Sequence, residues 1–258
     1  MYWRIIRING DGSIRVIYDG TSAHDNSDTT KDRIIGSSAF NETADDNAYV
    51  GYMYGATEAS TYEATHANIN DSTIKTYLDT WYQTNILGTK NEQYLTDNIF
   101  CNDRSISSRI LSDFTNKGYG TESTSYRWAN GPWTTGGYNS RIKLICPQKN
   151  DAFTVNATMY GNGDLTYPIG LITTDEVVLA GGWNTYNSGY YLYSEGSYWT
   201  LSPSYFNGSC TNKSIVHIGD AVNYLVCSND SGDVRPVLNL SQEVLKNGDG
   251  TMENPYEP

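Results

Sequence analysis

The 258-residue chain is short of charge: Asp, Glu, Lys and Arg together make up 18% of it, so much of its surface must be uncharged polar groups. It is shortest of positive charge, with 17 Lys and Arg against 29 Asp and Glu and a net charge of -12. No basic run occurs. Neutralising phosphates takes clustered Lys and Arg, so nucleic acid and anionic membrane surfaces are poor partners. No apolar run is long enough to span a bilayer, which argues against membrane insertion by this chain. Met1 is followed at once by the strand-like YWRIIRI, so no signal peptide is expected in this stretch. We therefore expect an expressed fragment, a piece of a longer secreted protein, or a phage or virion component, which needs no signal.

Catalytic patterns are also missing. There is no GxSxG, HExxH, P-loop or Rossmann pattern. Carboxylates are plentiful, but no pair stands in an apolar setting that would raise a pKa. His24, His66 and His217 are far apart, and no CxxC pair supports zinc. No stretch matches an EF-hand, although an acidic, Asn-rich surface has oxygen ligands to offer a structural calcium ion.

What is present is length enough for one large domain with a core, together with 22 Tyr and 24 Gly. Tyr gives large amphipathic contacts at low entropic cost, while Ser, Gly and Asn adapt their hydrogen bonds, the palette of a paratope. Extracellular β-rich proteins share that palette. Four cysteines, Cys101, Cys146, Cys210 and Cys227, permit disulfides. Of the three pairings we favour Cys101–Cys146 with Cys210–Cys227; four unpaired thiols are the alternative. Cys210 and Cys227 straddle Gly219-Asp220 almost symmetrically, so a hairpin turning there would bring them opposite each other.

Along the chain, WRIIRI and IRVIY flank Asn9-Gly10-Asp11-Gly12 and predict a hairpin over Trp3 to Tyr18. A polar loop follows to Asn47, with a short strand expected at Arg33-Ile34-Ile35, then a strand over Tyr49 to Tyr54. Ile74, Tyr77, Leu78 and Trp81 fall at i, i+3, i+4 and i+7, one face of a core helix capped by Asn70, Asp71 or Ser72. A second helix is expected at Thr174 to Ala180, capped by Thr173 or Thr174, with Asp175 and Glu176 in its first turn and Gly181-Gly182 after it. Gly118 to Asn139 reads as an aromatic, Gly-rich loop with Trp128, Trp133 and Tyr138. Short strands are expected at Ile142 to Ile145 and in YYLY, SYWTLS, SIVHI, VNYLV and VRPVLNL. The class is α+β: two main helices packed on mostly antiparallel short strands, with long irregular loops.

Near the C-terminus a fixed frame surrounds a loose filling. The frame is YWTLSPSYF (Tyr198 to Phe206) and VRPVLNL (Val234 to Leu240), and we assign Trp199, Leu201, Arg235, Val237 and Leu240 to scaffold. Arg235 reads as a buried hydrogen-bonding strut. The filling, Asn207 to Asp233, is rich in Asn, Ser, Asp and Gly. A rigid scaffold carrying a polar, loop-rich segment is how binding surfaces are usually built.

TTDEVVLAGG, then YWTLSPS, a variable stretch and VRPVLNL resemble the C-terminal half of the C-type-lectin-fold domains related to formylglycine-generating enzymes. More closely, the chain resembles uncharacterised surface modules of gut bacteria and their phages, through Trp3 to Gly20, Thr65 to Tyr82, Phe100 to Ile106 and Gly248 to Tyr256. The resemblance covers nearly the whole chain and implies a single C-type-lectin-like domain over residues 1–258. Some such proteins are the variable proteins of diversity-generating retroelements, in which error-prone copying at template adenines randomises chosen codons, usually of Asn. That would put a variable ligand-binding region at about residues 183–233; Asp233 stands where the family usually has Gly.

On this reading Asn207, Ser209, Thr211, Lys213, His217, Asp220, Asn223, Tyr224, Ser228, Asn229, Asp230 and Ser231 are the contact residues, and Trp183, Tyr186 and Tyr198 supply aromatic anchors. The bland alternative is ordinary solvated loop, with Tyr198 in the core. The resemblance implies a protein or glycan ligand, and an extracellular, cell-surface or virion location. Formylglycine-generating relatives need a closely spaced reactive Cys pair, which Cys210 and Cys227 do not match, so no enzyme is expected. A calcium-dependent sugar-binding lectin has only Trp183-Asn184-Thr185 to support it. A structural pilus or tail subunit is the remaining alternative.

Overall fold

The computed structural model describes residues 1–26, 28, 30–108, 114–127, 142–182, 189–194, 196–217 and 220–258, with 213–215, 217 and 220–225 described by their backbone alone. Two distant parts of the chain meet in one sheet. β1 (Tyr2–Ile8) and β2 (Ile14–Gly20) form the expected antiparallel hairpin. In its turn Gly12 has φ +86°, a left-handed conformation that glycine adopts at little cost. β13 (Val237–Leu240) pairs with the other edge of β2, Val237 opposite Ile17 and Leu240 opposite Ile14. β2 is thus the central strand, and all seven of its residues are buried.

The larger sheet runs β11 (Asp220–Cys227), β10 (Thr211–His217), β9 (Tyr198–Phe206), β12 (Ser231–Asp233) and β3 (Ser37–Ala39), with β7 (Thr124–Ser125) pairing the end of β9. Its pairings are antiparallel except β12 with β9, parallel at Asp233 and Tyr198. Close packing sets that junction: a Cβ on Gly232 would lie 2.7 Å from the Trp199 ring. The Trp199 indole N–H donates to Ser38 O at 2.8 Å. Two small ladders complete the strands, β4 (Met53–Tyr54) with β5 (Asn70–Asp71) and β6 (Phe100–Cys101) with β8 (Ala152–Phe153).

α1 (Tyr62–Thr65) is a single turn. α2 (Thr73–Asn85) is the expected core helix, capped by the Ser72 hydroxyl, which accepts from Lys75 N–H. Ile74 and Leu78 are fully buried, and Tyr77 and Trp81 pack against the core beside them. α3 (Thr174–Leu179) begins in a capping box between Thr173 and Glu176 and ends before Gly181, at φ +95°. The result is a mixed α/β chain with few helices and several sheets.

Four expected strands correct in an instructive way. Lys31–Arg33 is a 3-10 turn, and the strand comes later, at β3, because Arg33 is drawn fully inside to donate to the carbonyls of Asp25 and Tyr193. Of Tyr49 to Tyr54, Asn47–Val50 forms a 3-10 helix capped by Asp46, and only Met53–Tyr54 is strand. Residues 190–193 are not a strand either. The carbonyls of Tyr191, Leu192 and Tyr193, which a ladder would use, accept instead from Arg4, Arg235 and Arg33. Ile142 to Ile145 also forms no strand; Ile145 is 83% exposed.

Buried arginines therefore do in the loops what ladders do in the sheets. Arg15, Arg33, Arg104 and Arg235 are at most 1% exposed. The Asp19 carboxylate lies 2.7 Å from Arg4, 3.4 Å from Arg33 and 3.2 Å from Arg235. Arg235 also donates to Tyr18 O, the strut expected of it. Arg104 pairs with Asp151 at 2.7 Å and donates to Met53 O and Asn68 Oδ1. Trp199, Leu201 and Val237 are fully buried scaffold, and Leu240 packs against the core part-buried. Among the described residues no helix is long and apolar enough to cross a membrane.

Candidate functional site

Both expected disulfides are present, Cys101–Cys146 and Cys210–Cys227, the latter with Cα atoms 5.7 Å apart. The second closes the β10–β11 hairpin at its open end, where Asn212 faces Cys227. The other end of the hairpin brings His217 opposite Asp220; Ile218 and Gly219, the latter being half of the expected Gly219-Asp220 turn, lie outside the described residues. A register slip after Ile215 leaves Val222 and Asn223 as extra residues on β11, a bulge of the kind that re-aims a strand. β11 is the outer strand of its sheet.

The filling divides into an exposed and a buried part. Asn207, Ser209, Asn229, Asp230 and Ser231 are exposed. The 207–210 turn and the 228–230 turn meet at the Cys210–Cys227 bridge, where Asn207 Oδ1 accepts from the N–H groups of Ser209 and Cys210 and Asp230 N–H donates to Cys227 O. Lys213, His217, Asp220, Asn223 and Tyr224 lie along β10 and β11, placed here by backbone register. From Thr211 to His217 the strand covers about 20 Å at roughly 3.3 Å per residue. The expected contact residues therefore fall along the hairpin and at both its ends rather than in one cluster.

Three expected contacts are corrected. Tyr198 is fully buried, its ring stacked under the Arg235 guanidinium at 4.9 Å, so it is scaffold. Thr211 and Ser228 are fully buried as well, because their hydroxyls bond each other at 2.5 Å and Ser228 donates on to Thr43 O. Mutual pairing lets two polar residues go inside. Trp183, Tyr186, Trp183-Asn184-Thr185 and the aromatic loop containing Trp128, Trp133 and Tyr138 lie outside the described residues.

A second feature had no local signature. A cleft of about 520 Å3 opens beside the Cys101–Cys146 disulfide. Its lining carries two internal ion-pair groups. Glu176 bonds Arg15 at 2.5 Å and Arg7 at 3.0 Å. Arg127 bonds Asp103 at 2.5 Å and also Asp175. Burial alone would raise the Glu176 pKa, but Arg15 and Arg7 outweigh it and hold the carboxyl below its usual range. Burial pushes Arg15 down and Glu176 opposes that; for Arg127, Asp175 and Asp103 overcome burial and raise it. Glu176 is thus kept ionised and pinned, the opposite of the raised carboxyl that general-acid catalysis needs.

All four cysteines are in the disulfides. Among the described residues no group of three or more His, Cys, Asp and Glu is arranged to hold a metal ion. The chain matches no protein-family model, no curated protein and no solved structure.

Proposed function

We propose that the chain is a non-enzymatic recognition module with a C-type lectin fold, displayed outside the cell or on a phage particle. Its ligand face is the segment from about Trp183 to Asp233, diversified by a retroelement, and its ligand is a protein or glycan on another surface. One observation carries this reading. The frame strands are buried almost throughout, while the turns between them are exposed and tied together by a disulfide. That is the division of labour a display surface requires. Two disulfides favour an oxidising compartment. The absence of a free thiol pair weighs against chemistry of the formylglycine-generating kind. Sequencing of the locus across a source population tests the proposal. The expected result is substitution concentrated at Asn-type codons between about Trp183 and Asp233, with an adenine-bearing template copy nearby. An invariant segment with no template contradicts diversification.

A further inference from the structure

We propose that the cleft beside Cys101–Cys146 is a second binding site, one for a carboxylate-bearing saccharide. None of the described lining residues belongs to the Asn207–Asp233 segment. Among the described residues five cationic and three anionic ones line it, a local positive excess in a chain whose net charge is -12. The arginines are satisfied within the protein. Lys143 and Lys149 are not: both are exposed, and neither ammonium group has a hydrogen-bond or ion-pair partner among the described residues. These two ammonium groups in the lining of one cleft offer charge-assisted hydrogen bonds to a ligand carboxylate.

The rest of the lining asks for hydroxyl groups. Asn9 Oδ1 is buried with no hydrogen-bond partner, and such an acceptor gains from a ligand donor. The carboxylates of Asp103 and Asp175 also line the cleft and accept hydrogen bonds. A bare phosphate or sulfate would satisfy the lysines but bring few donors to these acceptors. A polyhydroxylated acid brings both. On the rim Tyr160 is 71% exposed, an aromatic face against which the apolar side of a sugar ring can pack. The volume lies within the range of small-ligand sites, about 300–1,000 Å3.

The test is calorimetric titration of the intact protein with digalacturonate, N-acetylneuraminic acid, neutral galactobiose, sulfate and an acidic dipeptide, alongside the K143Q/K149Q variant. Both lysines are exposed, so an unchanged melting curve verifies that the variant is folded. We expect saturable binding of at least one acidic saccharide, weakened by added salt. Binding should be weaker by roughly tenfold or more in the variant and for galactobiose. No binding of either acidic saccharide overturns the proposal. So does equal binding by the variant, or equally tight binding of sulfate or the dipeptide. Replacing residues on β10 and β11 should leave this affinity unchanged, so the site stands or falls separately from the diversified face.

Discussion

Two long hairpins of this protein, β1–β2 and β10–β11, are built in opposite ways. In β1–β2 the inner strand is paired on both edges, buried along its whole length, and carries Asp19 near its end, which gathers Arg4, Arg33 and Arg235. In β10–β11 the second strand is an outer edge, the register slips by two residues, and a disulfide closes the open end. One is fixed by burial and charge, which few substitutions would leave intact. The other is fixed by a covalent tie, by pairing with β9 and by a few buried residues such as Asn212 and Val216. That difference leaves the second hairpin freer to change its side chains.

Asp19→Ala should break the first hairpin's side of the comparison most severely. It leaves three guanidinium groups, two of them fully buried, without their carboxylate, and stability measured by urea unfolding should fall by about 3–5 kcal/mol. Asp230→Ala, on the exposed turn beside the second hairpin, should stay within about 0.5 kcal/mol of the parent. Removing the Cys210–Cys227 tie with paired serines frees a 17-residue closure and should cost about 3 kcal/mol in the chain-entropy account. A negligible loss would mean that pairing with β9 alone holds the hairpin.

Gly232→Ala sets a methyl group against the Trp199 ring, in the frame rather than the filling. It should cost about 1–3 kcal/mol, read from the same unfolding curves. A further effect is pH-dependent and belongs to neither hairpin. His66 is buried, and burial, reinforced by Arg104, holds its pKa well below the usual imidazole value. The folded form stays neutral where the unfolded chain takes up a proton. This stability is therefore present above the unfolded pKa of about 6.5 and is lost as pH falls below it, by up to about 1.4 kcal/mol per pH unit. His66→Gln should flatten that part of the acid slope, and the slope due to His66 should survive removal of the Cys210–Cys227 bond.

Local patterns made part of this legible in the sequence. The helical spacing of Ile74, Tyr77, Leu78 and Trp81, the capping residues Ser72 and Thr173, and the Asn9–Gly12 turn are each complete within a few residues. Both cysteine pairings were also readable. Partners distant in sequence were not. Arg33 leaves a strand-like run because Asp19, Asp25 and Tyr193 receive it, and YYLY gives its carbonyls to three arginines. Thr211 and Ser228 read as solvated polar residues until each is seen to satisfy the other. The cleft draws Asn9, Asp103, Lys143 and Glu176 from four separate stretches, so no motif marks it.

The central claim is that the second hairpin can carry many sequences on one scaffold. The most direct measurement is the thermal stability and ligand profile of a library varied at Lys213, His217, Asp220, Asn223 and Tyr224, with Cys210, Cys227, Asn212 and Val216 retained. Most members should melt cooperatively within a few degrees of the parent, while binding to a panel of surface proteins and glycans changes from member to member. General unfolding of the library, or one ligand profile shared by all folded members, would contradict the account.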